Sequence, residues 1–354
     1  MKMKTIVLGM ILSAALAITG YGEGQMMKIS GDSLVLAGTN PGKLCFDQIE
    51  KGSVVIRASY FPGGTVYTEN RDYTVDYREG TIARTPESRI PDYATHMLYG
   101  RKDFDHRKFP YPKCCNYQYF VWVDYRTDAG TSLAAPNDQS KYLSQTRKRL
   151  EAGGPFRIIG YGDSITPGCD VSDKNLIFTS LFVKYLKQKY PKTEIQYQDL
   201  SIPGYSSKEA VTWFDRKPEN FHAQAMGNSG KADLVLIGFG MNDHNHGVTE
   251  PGKFRDNLVK LVKLTREKLG AEVILFSCFP PNNDWHYGSH RMGQYAAATR
   301  AAATQAHCAY VNVYEVWAKV LQRKDQSSLL VNNINHPNYF GHWLYEQAFE
   351  AMKF

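Results

Sequence analysis

Two serines of this chain sit in the same tripeptide. Gly31-Asp32-Ser33 lies within "SGDSLVLAG" (30–38), and Gly162-Asp163-Ser164 within "GYGDSITPG" (160–168). A serine hydroxyl becomes a useful nucleophile when a base takes its proton and backbone N–H groups face the atom it attacks. A tight turn from a buried strand into a helix meets the second condition, because it aims free N–H groups at the sheet edge. Ser164 has that setting: "FRIIGYG" (156–162) reads as a buried strand, and helical spacing follows at 175–190. Gly160 and Gly162 permit close backbone approach. Ser33 has no buried strand before it and runs straight into "LVLAG". Its context makes it the start of a strand or the cap of a turn, and assigns the chemistry to Ser164.

Three further polar or small residues follow at matching places. Gly204 lies in "SIPGYSS" after the strand pattern "EIQYQDL", and Asn242 in "GFGMNDHN" after "DLVLIGFG". His336 lies in "NNINHPNYFGH", before the helix pattern "FGHWLYEQAFEAM". The elements that position them alternate. Strands are expected at 156–162, 194–200, 233–240 and 271–279 and in "AYVNV". Helices are expected at 175–190, 207–214 and 291–306 and in "FRDNLVKLVKLTREKLG", where Phe254, Leu258, Leu261 and Leu264 share a face. Alternation of this kind implies a parallel sheet covered on both faces, with ligands bound beyond the carboxyl ends of its strands.

The blocks "YGDSIT", "IPGYSS", "GMND" and "NHPNYFGH", in that order, resemble those of the SGNH, or GDSL-type, hydrolases over residues 155–354. The turn differs from the G-x-S-x-G elbow of α/β-hydrolases, since Thr166 stands at the last glycine position. The resemblance implies a three-layer α/β/α fold and a carboxylic ester hydrolase. It implies Ser164 as nucleophile, His336 as base, and an oxyanion hole made by the Ser164 and Gly204 amides and the Asn242 side chain. One position departs from the pattern. The family usually has Asp three residues before the histidine, where this chain has Asn333. Asp-to-Asn in a serine-protease triad costs about 10⁴ in rate. A Ser–His dyad is therefore expected, with Asn333 or a main-chain oxygen orienting the ring.

Ahead of this region, residues 26–135 read as β-structure. "GSVVIRASY", "TIAR" and "YQYFVWVDY" are strand-like, and "DYTVDY" alternates with Tyr73, Val75 and Tyr77 on one face. A smaller all-β, jelly-roll-like sandwich is expected, joined by a helical linker (136–154) to the hydrolase region (155–354). The long aromatic loop 91–115 carries Asp103, Asp105 and His106. These residue types can hold a metal; the alternative is a surface loop packed on its own aromatics. A Cys45 disulfide with Cys114 or Cys115 is an option in an oxidising compartment, and Cys278 suits a buried thiol.

Residues 1–25 read as an export signal: Lys2 and Lys4, then the apolar run "TIVLGMILSAALA", then small residues. A periplasmic or secreted protein is expected. With 354 residues, 43% hydrophobic and 22% charged, the chain can bury a large core. The net charge of +7 comes without a dense basic block, which argues against nucleic acid. No cofactor or metal is implied by the catalytic blocks, and no later apolar run is long enough for a membrane span.

Two-domain carbohydrate O-acetylesterases look similar in layout, so the expected substrate is an O-acyl, above all O-acetyl, ester on a polysaccharide. Tyr93, Tyr99, Phe109, Trp285 and Tyr287 are candidates for stacking on sugar, with Trp285 and Tyr287 taken as the substrate-binding pair. The rival readings are a lipase- or thioesterase-like enzyme for longer acyl chains, and a catalytically impaired glycan-binding relative. Asp163 is expected to brace its turn, Asp243 and His244 to hold a loop, and His342 to pack or cap.

Overall fold

The computed structural model describes residues 26–130, 132–215, 221–227 and 231–354; the expected export signal lies outside them. The first half forms two small antiparallel sheets. β1 (Met27–Leu34), β2 (Gly42–Lys43), β3 (Val55–Arg57), β4 (Val66–Tyr67), β5 (Tyr73–Asp76), β6 (Thr81–Arg84) and β7 (Val121–Thr127) pair in the orders β1-β7-β3-β4 and β2-β6-β5. The alternation read in "DYTVDY" is realised: Tyr73 is buried, Val75 and Tyr77 are half-buried, and Thr74 and Asp76 face water. The β1–β7 register shifts between Ile29 and Asp32. Gly31 takes φ +69° there, the left-handed conformation that suits glycine at a bulge.

A linker of β8 (Asn137–Asp138) and α1 (Ser144–Ala152) leads to the second half. Its strands are β9 (Gly154–Gly162), β10 (Thr193–Asp199), β11 (Leu234–Gly238), β12 (Glu272–Phe276) and β13 (Ala309–Val311). They form one parallel sheet in the order β10-β9-β11-β12-β13. The helices are α2 (Phe178–Lys189), α3 (Ser207–Asp215), α4 (Phe221–Gly227), α5 (Met241–His244), α6 (Pro251–Leu269), α7 (Met292–Gln305), α8 (Val313–Val320) and α9 (Tyr339–Glu350). Because parallel crossovers are right-handed, α2 covers one face and α3, α6 and α7 the other. The packing agrees: α2 meets α9, which meets α8, while α6 meets both α3 and α7. This is the α/β/α arrangement that the sequence implies.

The local signals explain the long helix α6. Pro251 opens it and Gly270, at φ +68°, closes it. Its buried face is Phe254, Leu258, Leu261, Val262, Thr265 and Leu269. Leu264, expected on that face, sits half-exposed at its edge, and Val262 takes the deeper place. Each fully buried leucine stabilises the fold by about 1.5–3 kcal/mol.

The two halves share one core. A single apolar cluster runs from Ile29 and Val123 of the small sheets to Ile158 and Leu236 of the parallel sheet. The sequence did not reveal α8 or a last strand, β14 (Met352–Lys353), which pairs with β8 and ties the chain's end to the linker. All six cysteines are free thiols, so the Cys45 disulfide that the sequence allowed is not formed. Burial, and secondarily Asp32, pushes the Cys45 thiol well up, which makes it inert.

Candidate active site

Ser164, Gly204 and Asn242 come from the carboxyl ends of three neighbouring strands, β9, β10 and β11. β9 is the strand at which the sheet order reverses, and such switch points leave a crevice beyond the strand ends. The register aligns Gly162 of β9 with Gly238 of β11, and Gly160 with Asp199 of β10. The turn carrying Ser164 is tight. A Cβ on Gly162 would overlap the Thr166 hydroxyl and come within 2.6 Å of the Gly238 carbonyl.

His336 reaches this edge from the loop before α9. Its Nε2 lies 2.9 Å from Ser164 Oγ, and its Nδ1 lies 2.5 Å from Asp170 Oδ2. The imidazole Nδ1 therefore meets Asp170, which corrects the expectation that Asn333 or a main-chain oxygen stands there. Asn333 takes φ +58°, a left-handed position that asparagine tolerates, and is buried. Its Oδ1 faces the amides of Asn116 and Asn282, each at 3.4 Å, and its carbonyl accepts from Asn282 Nδ2 at 2.8 Å. It shapes the loop and leaves the histidine to Asp170. The neighbouring Asn332 does the rest: its Oδ1 accepts the amides of Ile334, Asn335 and His336 at 2.9–3.0 Å.

Asp170 was not singled out from the sequence. It lies six residues after the nucleophile at φ +68°, in a loop that turns back on itself. The Cys169 amide donates to the Ser164 carbonyl, and Lys174 holds the Gly168 and Val171 carbonyls. No fixed spacing encodes such a placement. The only signal was an aspartate in the turn beside Cys169. Burial alone would raise this carboxyl. The hydrogen bond and charge of His336, with the Tyr111 hydroxyl, outweigh it and hold the carboxyl below its ordinary range. An ionised carboxylate on Nδ1 fixes the tautomer in which Nε2 accepts the serine proton.

Among the described residues, neither the Ser164 amide nor the Gly204 amide has a hydrogen-bond partner, so both remain available to an oxyanion. Gly204 takes φ +82° with open space where a side chain would be. Asn242 Nδ2 donates to the Tyr205 carbonyl at 3.0 Å, which leaves its second N–H free. The same two loops are tied below: buried Asp243 accepts from the Ser207 amide and hydroxyl at 2.9 and 2.6 Å. Ser206 and Glu209 then open α3 with a capping box.

Other assignments follow from contacts. Asp163 Oδ1 accepts from the Ile165 amide at 3.0 Å, so it braces the turn as expected. Burial raises its carboxyl to about 7. His342 packs in the core, where burial lowers it to about 3. Ser33 is fully buried and donates to the Ser328 carbonyl at 2.6 Å. Asp32 beside it pairs with Lys324 at 2.7 Å, both fully buried.

Trp285 is a second correction. It is 6% exposed, in a small core with Leu98, Phe104, Cys114 and Ile334, and its Nε1 donates to His106 Nδ1 at 2.9 Å. The 91–115 loop covers it, so its ring faces are not open to a ligand. Tyr287 has Arg107 over its ring at 4.5 Å and the His246 ring at 4.1 Å, which uses the surface expected to meet sugar. Tyr93 is buried against His96. Asp103 pairs with His286 and Asp105 with Arg107. No group of three or more His, Cys, Asp or Glu placed to hold a metal occurs among the described residues. No helix among them is long and apolar enough to cross a membrane.

Residues 161–344 match the model of the GDSL-like Lipase/Acylhydrolase family. No curated protein matches. Solved structures with a similar fold include an acetylxylan esterase from Geobacillus stearothermophilus, at 21% identity over 56% of this chain and 94% of that one, with a TM-score of 0.45. A two-domain esterase active on acetylated mannans, co-crystallised with mannopentaose, is 21% identical over 62% of this chain and 55% of that one, at 0.49. An enzyme from the metagenome of Lake Arreo, Spain, is 21% identical over 57% and 97%, at 0.46.

Proposed function

The chain belongs to the GDSL-like lipase/acylhydrolase family and is a carboxylic ester hydrolase, and from that premise we propose that it removes short O-acyl groups, above all acetyl, from carbohydrate. The observation that carries the reading is the unbroken relay Ser164–His336–Asp170, at 2.9 and 2.5 Å. In the proposed reaction Ser164 Oγ attacks the ester carbonyl as its proton passes to His336 Nε2. The Ser164 and Gly204 amides and the Asn242 side chain hold the oxyanion, where one lost donor typically costs about 10²–10³ in rate. His336 then delivers the proton to the leaving sugar hydroxyl. Water, deprotonated by the same nitrogen, releases the acid. Asp170 carries no proton; it stabilises the imidazolium.

Export to the periplasm or medium, where polysaccharide is met, fits this reading and is part of the proposal. A series of nitrophenyl esters from acetate to octanoate tests it, together with acetate release from O-acetylated oligosaccharides. The proposal expects kcat/KM to be highest for acetate. A maximum at octanoate would replace it with the lipase-like reading.

A further inference from the structure

The described residues include four exposed rings of Phe or Tyr, and two of them meet one short segment, with a third one ring further out. Tyr111 is 63% exposed, Tyr117 50% and Phe61 40%. The Tyr111 hydroxyl donates to Asp170 Oδ1, and the Tyr117 hydroxyl to the Asp170 carbonyl at 2.9 Å. Phe61 meets the Tyr339 ring edge-on at 5.7 Å, and the Tyr339 hydroxyl contacts Ser172 Oγ at 2.7 Å. All three exposed rings belong to the first half of the chain; Tyr111 and Tyr117 meet Asp170 of the second directly, and Phe61 reaches this flank through Tyr339.

Exposed apolar rings in a cluster need a reason, since burying them would stabilise the fold. The hydroxyls of Tyr111 and Tyr117 are already tethered, so these two rings are held in place with their surface toward water. Such rings lose little freedom when a ligand covers them. The mechanism also gives this flank a direction. The oxyanion points to Gly204 and Asn242, whereas the leaving oxygen must lie within reach of His336 Nε2. The alcohol part of the ester therefore extends along the His336–Asp170 side, where these rings stand. A fatty acyl chain would need an enclosed apolar groove. A flat ring with a hydroxyl rim suits a partner with an apolar C–H face and polar edges.

We propose that Tyr111 and Tyr117, with Phe61 beside them, form the platform for a pyranose ring of the alcohol part of the substrate. The proposal rests on the carbohydrate-ester reading and names the residues that recognise its sugar. It also makes the first half of the chain a contributor to the site.

The test separates ring from hydroxyl. Tyr117→Phe keeps the ring and loses the tether, whereas Tyr117→Ala loses both. On O-acetylated xylo- or manno-oligosaccharides, the Ala variant is expected to have a KM about tenfold above that of the Phe variant. On methyl acetate, whose alcohol part carries no ring to stack, the two variants should share one KM. Equal oligosaccharide KM values for Phe and Ala would overturn the platform while leaving the esterase reading intact. So would a difference that appears on methyl octanoate instead. Calorimetric titration of the same oligosaccharides into Ser164→Ala gives the answer without turnover. Binding that survives Tyr117→Phe and weakens about tenfold with Tyr117→Ala supports the platform; absence of saturable binding overturns it. A wild type inactive on every ester would refute the esterase reading separately. Melting temperatures of both variants identify any loss of fold.

Discussion

The two Gly-Asp-Ser tripeptides have identical letters and opposite work. In the second, the serine lies against a histidine at the edge of a parallel sheet, and the aspartate turns inward to brace the turn. In the first, the serine is sealed inside, and the aspartate forms a buried ion pair. Asp32 also accepts from the Cys45 amide at 2.7 Å and the Tyr125 hydroxyl at 2.9 Å. Its partner Lys324 donates to the Ser33 and Lys43 carbonyls. Secondary structure decides the difference. A strand that ends in a turn offers up its serine, whereas a strand that continues across a bulge buries it. The two copies are also connected. Ser33 and Asp32 clasp residues 324–328, and Asn116 donates to the carbonyls of Ser327, Leu330 and Val331. That clasped segment leads directly into the loop of His336. The first copy holds part of the frame in which the second works.

The comparison breaks most visibly in activity. Ser164→Ala should lower kcat on 4-nitrophenyl acetate by at least about 10⁴, while Ser33→Ala keeps it within about twofold per folded molecule. Comparable losses in both would erase the distinction. Stability should reverse the ranking. Asp32→Ala leaves Lys324 buried and unpaired, a loss of about 3–5 kcal/mol by urea unfolding. Replacing both partners, Asp32→Leu with Lys324→Met, should recover much of it, because the desolvated charge is gone.

A third effect is a pH slope. With its carboxyl raised to about 7, the folded protein binds a proton at Asp163 that the unfolded chain, near 4, releases. Between about pH 4 and 7 this group makes stability fall as pH rises, by up to about 1.4 kcal/mol per unit. Asp163→Asn keeps the turn's acceptor and removes the slope, so its advantage in melting temperature should grow across that window. A constant offset would show that Asp163 is ionised throughout. The smallest effect is that of Ser33→Ala on stability. Losing its bond to the Ser328 carbonyl should cost about 1–2 kcal/mol, read as a lower urea midpoint at unchanged slope.

What the sequence made legible follows the same division. Ser164, Gly204, Asn242 and the approximate place of His336 could be read because each follows or precedes an element with clear periodicity. The parallel sheet and its helices were legible for the same reason, and so was the bracing role of Asp163. Asp170 was not, because its place depends on a left-handed loop folding back beneath a histidine 166 residues away. Trp285 was misjudged because exposure of a loop aromatic depends on what covers it, here a loop from the other half of the chain. Asn333 stood where the family's aspartate orients the histidine and was read as its substitute; its left-handed backbone, at φ +58°, fits a turn.

The central claim is that Asp170 completes the relay and Asn333 does not. The most direct measurement is kcat/KM on 4-nitrophenyl acetate for Asp170→Asn beside Asn333→Gly, which preserves the left-handed turn. The account predicts a fall of about 10³–10⁴ for Asp170→Asn and less than about fivefold for Asn333→Gly. Near-wild-type activity in Asp170→Asn, with a large loss in Asn333→Gly, would contradict it.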